Sequence, residues 1–173
     1  MATATGDVRG WRWRRKAGPI TPDRYERLLA IAALALLAAV LAALARGAGE
    51  WDRVPAIVWA HLATIGVALV LTPVMMLRRR GDRLHRRLGR VWVAAMVVTA
   101  LLSFGIQNRG GLSWIHILSA FTLGVAPLVW WTAATHRVPE HRGAVRGLAT
   151  GALLVAGFFT FPFDRLLGHW LFG

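Results

Sequence analysis

Six histidines are the side chains of this chain whose type and spacing suggest chemistry. There is no cysteine, which excludes disulfides, thiolate catalysis and cysteine-ligated metal or iron–sulfur centres. Four of the histidines recur at matched places. His61 and His116 fall near one end of two apolar stretches, and His85 and His141 fall at the opposite end of two others. At about 1.5 Å of rise per residue, His61 and His116 lie within about 5 Å of each other in depth. Two imidazoles on facing helices can hold the iron of b-type haem through its two axial positions. Two such pairs, one above the other, would place two haems across a bilayer.

The helix faces suit that chemistry. At about 3.6 residues per turn, His61 shares a stripe with Thr64, Ala68 and Thr72. His85 shares one with Gly89, Met96, Thr99 and Ser103, and His116 aligns with Ser119, Ala120 and Pro127. Small residues beside a histidine leave room for a flat macrocycle, and they equally promote close helix packing. The competing reading is structural. An imidazole in an apolar helix is costly unless it is hydrogen-bonded, so His61 and His116 also suit interhelical hydrogen bonds. His85 and His141, set among arginines, also suit headgroup contact or capping. His136 and Glu140 beside His141 could form a metal site with Asp82, but the spacing is loose and disfavours it. No nucleophile–base pair, acidic dyad or phosphate loop occurs, so no hydrolase or transferase site is read.

The elements that must position these residues are membrane spans. The chain has 173 residues, of which 56% are hydrophobic, and its apolar runs are as long as a bilayer is thick. The fold class is therefore all-α: a polytopic membrane protein with five spans, about 28–45, 54–77, 84–106, 113–135 and 144–161. Spans 2 to 5 are expected to form a four-helix bundle. Residues 1–25 read as a basic cytoplasmic tail and 26–173 as one transmembrane domain. Pro55 suits the first turn of its helix and Pro73 a kink near the far end. Gly81-Asp82 reads as a turn with Asp82 as N-cap of the third helix. QNRGG at 107–111 reads as a tight turn, and 163–173 as a short interfacial helix.

The net charge of +13 is arginine in tails and loops, which argues for topology rather than for nucleic acid. The N-terminal flank through Arg27, the stretch RRRGDRLHRRLGR at Arg78–Arg90 and the His136–Arg146 loop fall on one side of a five-span path. They hold 17 of the basic residues, against Arg46, Arg53, Arg109 and Arg165 on the other side. That split puts the N-terminus in the cytoplasm and the C-terminus in the periplasm of a bacterial inner membrane. Arg78, Arg79, Arg80 and Arg87 are then expected to meet anionic lipid headgroups.

The stretches GDRLHRRLGRVWVAAMVVTALLSFGIQ, LSWIHILSAFTL and EHRGAVRGL resemble a family of uncharacterised bacterial integral membrane proteins. That family has a Gly-Asp-x-x-His-Arg hinge, a Ser-x-x-His start to the next helix and a later His-Arg loop. The resemblance runs from about Ile57 to Leu167; it implies a compact polytopic domain and supplies no activity. The layout of His61, His116, His85 and His141 also looks like the transmembrane dihaem b-type cytochromes that carry electrons from ascorbate. There helix 2 pairs with helix 4 and helix 3 with helix 5. This chain lacks that family's sixth full span, and residues matching its ascorbate contacts are not found.

The expected function is a b-type haem-binding transmembrane electron carrier. One haem would sit on His61 and His116, and a second on His85 and His141. The alternative is a non-redox accessory or lipid-interacting module. A small-molecule permease is disfavoured, because no charged side chain falls at mid-membrane depth.

Overall fold

The computed structural model describes residues 21–106, 115–162 and 165–173. Among these the secondary structure is helical throughout, in the order α1 Arg24–Arg46, a 3₁₀ turn Ala48–Arg53, α2 Ala56–Leu77, α3 Arg83–Gly105 and α4 His116–Ala134. There follow α5 Val138–Leu148, a π-helical segment Ala149–Val155, α6 Ala156–Phe158 and α7 Leu166–Phe172. The tail before residue 21 and the turn at 107–111 lie outside the described residues.

Four helices, α1 to α4, are long and apolar enough to cross a membrane. Their outward faces carry Leu28, Ile31, Leu34, Val67, Val98 and Ile117, all exposed. Apolar residues exposed in such number suit lipid and not water. Pro55 stands at the start of α2, and Pro73 lies within it, as the sequence suggested. Asp82 caps α3, accepting from the His85 backbone N–H at 2.6 Å. Gly81 before it has φ of +88°, a left-handed turn that only glycine adopts without cost.

The fifth apolar stretch begins earlier than its hydropathy indicates. α5 starts at Val138 rather than near residue 144, with Pro139 in its first turn. The polar sequence PEHRG is the first part of a helix whose charged face is paired. His141 therefore lies inside the helix and not ahead of it. From Ala149 the same rod continues as a π segment, whose looser turn lets Gly151 pass close under the Phe121 ring.

In packing order α2 lies against α3, α3 against α4, and α4 against α5 and the π segment, which returns to touch α2. α1 packs on α2 and on the π segment, and α7 packs on α1. The core at these seams is built from Leu29, Ala33, Leu69, Met96, Leu148 and Leu153. Small residues such as Ala33, Ala43 and Ala68 sit with no exposure at all, allowing the backbones to approach. α7 is anchored to the rest of the fold. Trp170 is buried, its indole N–H donates to Glu50 at 3.0 Å, and Arg46 donates to the Trp170 carbonyl.

Candidate functional site: two histidine-lined cavities

The four histidines divide two and two between two cavities in the same helical stack. His61 and His116 line a cavity of about 460 Å³ on the side of α7, labelled outer, and His85 and His141 line one of about 540 Å³ on the side of Glu26, labelled inner. Both volumes fall in the range of small-molecule and cofactor sites, about 300–1,000 Å³. Trp92 lines the inner cavity, and Met96, one turn along α3, lines the outer one. Both are buried, and Trp92 is pinned by a 2.9 Å hydrogen bond from its indole N–H to Thr72.

The outer rings are fixed by backbone. His61 Nδ1 bonds to the Thr99 carbonyl at 3.2 Å, and His116 Nε2 to the Ser103 carbonyl at 3.0 Å. A carbonyl only accepts, so these nitrogens carry the protons and the lone pairs lie on His61 Nε2 and His116 Nδ1. Thr64 and Ser119, the natural hydrogen-bond partners by sequence stripe, do not bond these rings. Thr64 donates back to the Ala60 and His61 carbonyls and accepts from Thr99 at 2.8 Å. Ser119 meets Ser103 at 2.6 Å. The ring partners are main-chain oxygens of α3, one turn apart. Phe104 lies beside the His116 ring, with centroids 5.6 Å apart.

The inner rings stand in a different setting. His141 Nδ1 bonds to the Val129 carbonyl at 3.1 Å, which leaves the lone pair on Nε2. His85 Nδ1 is buried with no hydrogen-bond partner. Arg80, Arg86, Arg90, Arg142 and Arg146 also line this cavity, with Glu26 as the one carboxylate among the described residues.

Glu26 carries a role that hydropathy hides. It is 1% exposed, and it takes ion pairs from Arg80 at 2.5 Å, Arg142 at 2.6 Å and Arg146 at 2.9 Å. Its carboxylate also closes a capping box with Asp23 at the start of α1. Asp23 pairs with Arg142 at 3.1 Å and with Arg146. Hydrogen bonding from the Glu26 backbone N–H, then from Arg146, holds the exposed Asp23 carboxyl below its usual pKa. The signal available in sequence was the Asp-x-x-Glu box ahead of an apolar run.

The arginines expected at headgroups are thus not equivalent. Arg78 bonds Asp82 at 2.7 Å, and this contact, followed by the His85 N–H, depresses the Asp82 pKa. Arg80 is committed to Glu26 and to the Met76 carbonyl. Arg79 and Arg87 are exposed.

Among the described residues no three of His, Asp or Glu converge as a metal-ion site. That includes His136, Glu140, His141 and Asp82. Paired imidazoles without a third ligand suit a metal whose other positions are already filled, as a macrocycle fills those of haem iron. No protein-family model, curated protein or solved structure matches this chain.

Proposed function

We propose that this chain is a transmembrane electron carrier that binds b-type haem between paired histidines. One observation carries the reading: the four histidines fall two and two into two cavities at opposite ends of one set of helices. The donor chemistry supports it. His61 and His141 each spend Nδ1–H on a carbonyl and keep a lone pair on Nε2, the arrangement that orients an imidazole for a metal. Haem, when bound, supplies one-electron chemistry. The protein's part is to fix the rings, exclude water and set the distance between the sites. Trp92 and Met96 are the buried side chains between them.

In this reading α2 to α5, with the π segment and α6, form the four-helix core, and Val138–Phe158 is a fifth span. The basic rim is cytoplasmic and α7 periplasmic in a bacterial inner membrane. A reporter fused after Gly173 should then be active only outside the cytoplasm; activity inside would reduce the number of spans.

A second reading has its own support. Both outer rings are satisfied by α3 carbonyls, within a hydroxyl network that joins α2, α3 and α4. There the histidines would be interhelical hydrogen-bond donors, and the exposed Arg79 and Arg87 would meet anionic lipid in a non-redox module. Absorbance spectra of the purified protein, before and after dithionite, separate the two. Haem ligation predicts a Soret band with sharp low-spin α and β bands on reduction. His85→Ala and His141→Ala should remove one contribution, and His61→Ala and His116→Ala the other. A protein that inserts and folds yet shows no such bands, even after haem is added, is the non-redox module.

A further inference from the structure

The inner cavity has a polar rim whose donors are not all used. Arg80 gives one arm to Glu26 and to the Met76 carbonyl, but its Nη1 is buried with no hydrogen-bond partner. A buried donor left unmet is costly, so this one favours an acceptor. Arg142 and Arg146 are occupied by Glu26 and Asp23. Arg90, on the same cavity wall, forms no ion pair with any described residue. Below this rim the walls are apolar: Met76, Trp92, Val93 and Val129. The cavity therefore asks for a ligand with an apolar body and acceptor oxygens at one edge.

We propose that the ligand held between His85 and His141 stands with its carboxylate edge toward the basic rim, its acidic groups received by Arg80 Nη1 and the Arg90 guanidinium. This rests on the haem reading, since b-type haem is an apolar disc with two carboxylates on one edge. The arginines select that orientation for a physical reason. A guanidinium matches a carboxylate in geometry and charge, whereas a carboxylate turned toward the outer cavity would meet Trp92 and the buried Met96.

The test uses the full chain carrying both His61→Ala and His116→Ala, so that only the inner pair ligates. Haem b and its dimethyl ester, which has the same disc without the acids, are titrated separately and followed by the Soret band. Haem b should bind at least about tenfold more tightly than the ester, the size of one charge-assisted hydrogen bond. Arg90→Gln should lower haem affinity by about tenfold and leave ester affinity unchanged, because Arg90 holds no structural partner. Arg80→Lys, which keeps a charge for Glu26, should act in the same direction. Equal affinity for acid and ester, with both giving low-spin spectra, would overturn the orientation and leave haem binding standing. Failure of both porphyrins to bind would remove the inner haem site and the orientation with it.

Discussion

The outer and inner halves of this molecule hold their histidines by opposite means. Among the described residues, the hydrogen bonds at the outer rings join neutral groups, hydroxyl to hydroxyl and imidazole to carbonyl, and Arg165 is the one charged side chain on that cavity wall. In the inner half the rings stand beside five arginines and one buried glutamate, and among the described residues three buried nitrogens at this end, Arg78 Nε, Arg80 Nη1 and His85 Nδ1, lack partners; the last two belong to the cavity wall. A closed inventory is what a structural network looks like. An open one, in a cavity of about 540 Å³, is what a ligand site looks like. The inner pair is thus the better prepared for a ligand.

The sharpest way to break this contrast is to remove the charge that holds the inner half together. Glu26→Ala leaves Arg80 without its carboxylate partner and Arg142 and Arg146 with the exposed Asp23 alone, where the ends of α1, α2 and α5 meet. Breaking a buried ion pair by deleting one partner costs about 3–5 kcal/mol. Thermal unfolding in detergent should show a loss of that order, with Glu26→Gln falling between. Wild-type stability in Glu26→Ala would mean that the arginines are solvated and the inner half is not held by charge.

Glu26 also marks where sequence reasoning ran out. The apolar runs, the two prolines, the Gly81 turn and the Asp82 cap are local, and local patterns report them. The matching depths of the histidines follow from the same run boundaries. Glu26 meets Arg142 and Arg146 across more than a hundred residues, and pairing at that range leaves no periodic trace. The same partners explain why α5 was expected to start late: its charged first turns look like a loop until Arg142 and Arg146 are neutralised by α1. The ring partners of His61 and His116 were hidden for another reason. Main-chain carbonyls belong to every residue, so only the fold selects Thr99 and Ser103.

A middle-sized effect tests the outer half by packing alone. Gly168 in α7 is buried, and a methyl there would fall on the Phe161 carbonyl. Backbone cannot yield as a flexible side chain would, so Gly168→Ala should displace α7 from α1. About 1–3 kcal/mol is expected, the usual cost of overpacking. Limited proteolysis should then cut near Arg165 faster than in wild type, with Glu26 and its arginines unaffected. Unchanged cleavage would show that α7 docks loosely.

The smallest effect decides whether the outer network is only packing. Thr99 donates to Thr64 at 2.8 Å, while the His61 ring bonds the Thr99 carbonyl and not its hydroxyl. Thr64→Val, Thr99→Val and the double variant remove the hydroxyl bond without touching the imidazole contact. Thr99→Val alone leaves Thr64 with its own-helix acceptors at Ala60 and His61, so it loses one bond and orphans little. Interhelical hydrogen bonds in a bilayer couple by about 0.6 kcal/mol, because an unfolded chain in lipid also finds partners. A double-mutant cycle should return a coupling of that size, and any haem spectrum contributed by His61 should be unchanged. A coupling above about 2 kcal/mol would exceed that range and place Thr64 and Thr99 in one cooperative unit with the rings. Loss of the outer spectral contribution in Thr99→Val, with the fold intact, would do the same from the ligand side: the hydroxyls would then be setting the imidazole and not merely joining two helices.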